Sequence, residues 1–186
     1  MSSDLKKKVF YPDLDEKVVF PGHGVAKVNR IIEKKVAGIL SRYFELKFLN
    51  KEMTILVPTH NFESIGIRKL SSIDKINDVF KILAEPARKI TPDVVATNWN
   101  KRSKKYLSDM RTGNLVAISK IYRDLKHISH YKELSFGEKN LLLQTESFLA
   151  QEISLVNNVA EEKAIEHLRA LFNNTLHSVN SEQKNI

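Results

Sequence analysis

Between Leu70 and Ser71 the repeat of apolar residues lengthens from two to about 3.6, and that change governs what the chain can fold into. Before it, residues 17–20, 24–32, 41–49, 53–57 and 65–68 are runs of β-branched and aromatic side chains set apart by turn residues. Short strands so closely spaced predict a small β-barrel of five strands. In the third run Tyr43 faces opposite to Phe44, Leu46 and Phe48, so one face packs inward. Pro21-Gly22-His23-Gly24 and Asn50-Lys51-Glu52 are the turns on either side of the longer runs.

After the boundary, Ser71-Ser72-Ile73-Asp74 resembles a capping box ahead of Ile73, Ile76, Phe80 and Leu83, a helical face that ends near Pro86. Residues 85–97, broken by Pro86 and Pro92, form a connector, and Thr97 or Asn98 caps a helix that stops at Gly113. Asn114 caps the next, with Leu115, Ile118, Tyr122 and Leu125 inward. Ser135 and Glu138 form a second capping box opening the longest helix, whose buried stripe is Leu141, Leu142, Phe148, Leu149, Ile153 and Val156. Glu161 and Glu162 open a last helix carrying Ala164, Ile165, Leu168, Leu171 and Phe172, and the tail after His177 frays. The expected architecture is α+β: residues 1–70 a β-barrel domain with 1–10 as a mobile arm, and residues 71–186 an all-α domain of about five helices.

Composition narrows the function classes. With 42% hydrophobic and 28% charged residues the chain is globular, no apolar run approaches the roughly 18 residues that cross a bilayer, and the start lacks the apolar core of a signal peptide. A cytoplasmic protein without a membrane role is expected. The absence of cysteine excludes thiolate metal sites, cysteine nucleophiles and disulfides. Gly22-His23-Gly24 lacks the third glycine and following helix of a dinucleotide site, and His23 and His60 have no carboxylate or thiolate companions to hold a metal. With no acid/base pair on rigid elements either, the expectation is no enzyme, no cofactor, no metal and no small-molecule substrate.

The net charge of +8 is unevenly placed. Residues 1–74 carry 13 basic and 9 acidic groups, residues 75–132 carry 13 and 5, and residues 133–186 carry 4 and 8. The excess of +8 in the middle segment is an electrostatic footprint for nucleic acid. At its centre the only tryptophan, Trp99, precedes Lys101, Arg102, Lys104 and Lys105, with no acid between Asp93 and Asp109. Two readings fit the spacing. Trp99, Ser103, Tyr106 and Met110 share one helical stripe, which suits a ring covering the core; a flat ring at a basic helix start equally suits a wedge against unstacked bases, with lysines on phosphates.

Val18-Val-Phe-Pro-Gly-His-Gly-Val-Ala-Lys-Val28, Tyr43-Phe-Glu-Leu-Lys47, Thr54-Ile-Leu-Val-Pro58, Asn98-Trp99 and Leu134-Ser-Phe-Gly-Glu-Lys139 together resemble the CarD family of bacterial transcription regulators, over about residues 11–172. The first part alone is also similar to the polymerase-binding domain of the transcription-repair coupling factor. The resemblance implies a Tudor-like barrel that docks on the RNA polymerase β subunit and a helical domain that touches promoter DNA. It implies that Trp99 wedges into the minor groove at the upstream edge of the transcription bubble and stabilises the open complex, and that Asn98, Lys101, Arg102, Lys104 and Lys139 belong to the DNA face. Where some relatives use two arginines toward polymerase, this chain has Lys34 and Leu56; lysine loses the bidentate fork and leucine the charge as well, so docking is more apolar or uses Arg30, Arg42 or Arg68. A second function class stays open: a polymerase-binding interaction module whose helices recruit another protein, with Trp99 in the core.

Overall fold

The computed structural model describes residues 10–85 and 99–182, with side chains as far as Leu171. It divides into two compact units, Met1–Leu70 and Ser71–Ile186. The first is an antiparallel sheet of five strands in the order β4-β3-β2-β1-β5: β1 Lys17–Phe20, β2 Gly24–Val36, β3 Ile39–Phe48, β4 Thr54–Pro58 and β5 Arg68–Lys69, with a 3-10 turn Thr59–Asn61 after β4. Alternation turns Val28, Phe44, Leu46, Phe48 and Val57 to one buried face, covered by Phe62 and Ile67. Burying each such side chain contributes about 1.5–3 kcal/mol. Phe10 joins this core, its ring 5.9 Å edge-on from Phe62, so the expected arm ends before Phe10; residues 1–9 lie outside the described residues.

Two strand expectations need correction. The second and third strands continue into a long hairpin, pairing as far as Val36 opposite Ile39. Its two-residue turn requires positive φ at both positions, and Ala37 (φ 49°) and Gly38 (φ 84°) supply it. Alanine in the place where asparagine or aspartate is usual left no turn signature to read. The fifth strand is only Arg68–Lys69, because the Ile65 and Gly66 N–H groups donate to the Asn61 and Glu63 carbonyls at 3.1 and 2.9 Å and so belong to a turn.

The second unit holds the helices α1 Ile73–Ala84, α2 Trp99–Arg111, α3 Leu115–Tyr131, α4 Phe136–Asn157 and α5 Glu161–Glu182. Among the described residues no helix is long and apolar enough to cross a membrane. The main core gathers Ile76, Val79 and Leu83 from α1, Tyr122 from α3, Leu149 and Ile153 from α4 and Leu168 from α5. Polar groups fix the register. Glu146 on α4 accepts from the Tyr122 hydroxyl at 2.9 Å and from Arg169 Nε and Nη2 at 3.0 and 2.6 Å, joining three helices through one carboxylate.

The first capping box is corrected too. Ser72, not Ser71, caps α1, accepting from the Lys75 N–H at 3.4 Å, while the Ser71 N–H is held by Glu152 Oε1 at 2.6 Å. The box of Ser135 with Glu138 forms as expected, and Asn114 caps α3 by accepting from the Val116 and Ala117 N–H groups. The last helix continues past His177 to Glu182, and matches α4 at 22 residues, so α4 is not alone the longest. Pro86, Pro92, Thr97, Asn98 and the Phe172 side chain lie outside the described residues.

Candidate nucleic-acid interface

The start of α2 is bound to the start of α4 by one buried carboxylate. Glu138 is the third residue of α4 and is fully buried, with 0% of its side chain exposed. One oxygen takes the Ser135 N–H at 2.9 Å as the return half of the capping box, which any Ser-x-x-Glu sequence can do. The same carboxylate accepts from Arg102 Nη2 on α2 at 2.9 Å and from Lys132 Nζ at 3.1 and 3.0 Å. Burial pushes the Glu138 carboxyl up, but the hydrogen bonds from Ser135 and Lys132 outweigh it and hold the group below the ordinary carboxylate range. It stays ionised where three donors converge.

That arrangement seats Trp99. An added Cβ at Gly137, one residue before Glu138, would stand 3.2 Å from Trp99 Cζ2 and 3.4 Å from Nε1, so the indole lies against the bare glycine backbone. Any side chain there would press the indole back by a few tenths of an ångström. Trp99 is half-buried at the margin of a small cluster of Tyr106, Met110, Ile121, Leu125 and Leu141. The Tyr106 hydroxyl points to Asp124 at 3.4 Å, and burial followed by that acid raises its pKa to about 12, so it remains a neutral donor.

Around the ring the basic residues divide into two kinds. Lys101, Lys104 and Lys105 are exposed on α2, and Lys139 is exposed with a 2.8 Å partner in Glu133. An exposed pair of this type is worth about 0–1 kcal/mol, so it leaves Lys139 accessible to a phosphate. Arg102 is different: its side chain is only 12% exposed and its guanidinium is directed onto Glu138. The structure places Arg102 as the clamp that positions α2 rather than as a surface cation. Asn98 lies outside the described residues.

Residues not singled out from sequence complete the site. Gly137 and Phe136 stood in a motif read for its cap and its family likeness without a role of their own, and Lys132 carried no signal because its partner is six residues on, across a helix start. Phe136 is 81% exposed.

In the sheet unit Arg30, Glu45 and Leu56 align across β2, β3 and β4, and Lys34 opposite Ser41 lies on the same outward face. A bulge after Val28 lets Asn29 and Arg30 both reach Glu45, the former at 2.6 Å and the latter through two 2.9 Å bonds. Hydrogen bonds from Arg30 and Asn29 hold the Glu45 carboxyl below its usual range. Arg42, paired with Glu33 at 2.8 Å, sits on the opposite face of β3 from Glu45, so it does not share a surface with Lys34 and Leu56. Leu56 is exposed on the edge strand. Arg68 is half-buried on β5, with Nη1 donating to the Lys69 carbonyl.

Residues 14–71 match the family model described as "CarD-like/TRCF RID domain", and residues 78–169 match that described as "CarD, C-terminal domain". A relative from Bacillus subtilis (strain 168), named "Putative transcription factor YdeB", is 23% identical over 151 residues, which are 81% of this chain and 95% of that protein.

Proposed function

Since the chain belongs to the CarD family, whose two domain models it matches in succession, we propose that it is a non-catalytic, cytoplasmic transcription regulator that docks on the RNA polymerase β subunit through its sheet unit and stabilises the promoter open complex through its helical unit. The observation that carries the second half is Trp99 resting on Gly137 beside exposed Lys101, Lys104 and Lys105. A ring held at the surface by a glycine bed is preorganised to lodge in the minor groove at the upstream edge of the bubble, where unstacking has already occurred. The lysines hold backbone phosphates without reading sequence. Docking of the sheet unit through the outward face that carries Lys34, Arg30 and Leu56 supplies the local concentration that a weak DNA contact needs.

The half-burial of Trp99 against the Tyr106 cluster supports a second reading, in which the ring is packing alone and the helices recruit another protein. Trp99→Ala separates the two. On the first reading open-complex lifetime under heparin challenge falls about 5-fold or more, since aromatic stacking on a base is worth roughly 1–3 kcal/mol, while β binding is kept. On the second, folding stability falls and decay per folded molecule is unchanged; that result would sink the wedge.

A further inference from the structure

Phe136 is the first residue of α4, and its ring is left 81% exposed. Its backbone is fixed by the capping box, which orders Ser135 and Glu138 on either side of it, and the ring belongs to neither helical core cluster. Isolated exposed apolar side chains are common on protein surfaces. What sets this one apart is its place: it directly precedes Gly137, whose backbone carries the Trp99 indole, so the Cα atoms of Phe136 and the glycine are about 3.8 Å apart. Exposed Lys101 and Lys104 stand on α2, the helix that brings Trp99 to Gly137, and Lys139, paired with exposed Glu133, follows three residues further along α4. An apolar protein pocket gains little from such a rim, whereas a polyanion with flat apolar bases is complementary to both parts of it.

We propose that Phe136 is a second base-contacting residue, forming with Trp99 a two-ring edge that takes unstacked bases of partly melted DNA. This rests on the reading of the helical unit as a DNA-contacting surface. A phenyl ring has no hydrogen-bonding group, so it contacts any base through its π-face and adds lifetime without adding sequence preference. With Phe136 opening α4 and Trp99 of α2 packed against the next residue, the two rings accept bases without further ordering of the chain, because the Glu138 carboxylate already holds α2 to the start of α4.

The test uses the full chain with polymerase holoenzyme on a promoter carrying 2-aminopurine at the upstream edge of the bubble. Phe136→Ala, Phe136→Tyr and Phe136→Leu are compared with Trp99→Ala. Phe136 is exposed, so its substitutions are expected to leave thermal unfolding unchanged, and this is checked. Stacking predicts that Phe136→Ala shortens open-complex lifetime about 5-fold to 100-fold and brightens the 2-aminopurine, that tyrosine retains the parent behaviour, and that leucine does not. A shortened lifetime for Trp99→Ala with none for Phe136→Ala overturns this inference and leaves the wedge standing. No effect of either overturns both. Full activity of the leucine variant, or a Phe136→Ala loss of polymerase affinity in the absence of promoter DNA, shows a protein contact instead and overturns the stacking role.

Discussion

Removing the Glu138 carboxylate should loosen the base of the Trp99 platform before it loosens anything else. In Glu138→Ala the Arg102 guanidinium, 12% exposed, loses the oxygen it meets at 2.9 Å, Lys132 loses two contacts, and the Ser135 N–H loses its acceptor. Breaking a buried ion pair from one side costs about 3–5 kcal/mol, and the lower end applies because Lys132 is 37% exposed and can rehydrate. For a chain of this size about 3 kcal/mol lowers Tm by roughly 10 °C. Because Trp99 is the only tryptophan, its emission reports the platform directly and should move to longer wavelength as the indole leaves Gly137. Replacing both partners, as in Glu138→Leu with Arg102→Met, should recover part of the loss, since the uncompensated charge is then gone. The carboxyl is held below its ordinary range in the fold, so its contribution is fully present above the unfolded pKa, near 4.5, and disappears as pH falls through the lower folded value. The stability gap between the parent and Glu138→Gln should therefore narrow on acidification in that window. A loss under about 1 kcal/mol with an unshifted emission spectrum would show that Glu138 is an ordinary surface cap and that Arg102 does not hold α2.

Two further outcomes follow from the same surface. Neutralising Lys101 or Lys104 should reduce the log–log salt slope of fork DNA binding by about 0.7–0.9 each with no change in base preference, whereas Arg102→Gln should show a stability loss in thermal unfolding that the two lysine variants lack. Gly137→Ala would raise helix propensity by up to about 1 kcal/mol in an open helix interior, yet here its Cβ meets the indole at 3.2 Å, so equal or lower stability and a shifted Trp99 emission are expected.

Much of this was legible because the deciding signals are local. The capping box of Ser135 with Glu138, the Asn114 cap and the inward set Leu115, Ile118, Tyr122 and Leu125 are written within one or two turns of chain, and each is where the spacing placed it. The β2–β3 extension was hidden by Ala37, which adopts a left-handed conformation that its residue type does not advertise. Arg102 shows the same limit at the site. A charge run read in one dimension gives four equivalent cations after Trp99, but the helical turn directs Arg102 to a carboxylate 36 residues away and leaves its neighbours in water. The placement of Arg42 was out of reach for a simpler reason. Strand period two puts it on the face away from Leu56, and that parity needed the register of β3 against β4, which sequence alone does not supply.

The position of Trp99 between core and solvent is itself what a wedge would need. A tryptophan wholly in water would have to be ordered at each encounter, at about 0.5–1.5 kcal/mol for a side chain immobilised on binding, and would stack on any apolar surface it met. Buried within the Tyr106 cluster, it could reach no base. Holding the Nε1–Cζ2 edge of the indole on a glycine at the margin of that cluster leaves one side packed and the ring ordered in advance, and it gives the site a dependence on helix spacing. The spacing is then set by the carboxylate that Arg102 and Ser135 share. Under the proposed function the charged pair would govern where the ring stands, the ring and Phe136 how long a melted edge persists, and the exposed lysines how strongly salt opposes the encounter. The three properties should therefore separate by mutation: stability with Glu138, lifetime with Trp99 and Phe136, and salt slope with Lys101 and Lys104.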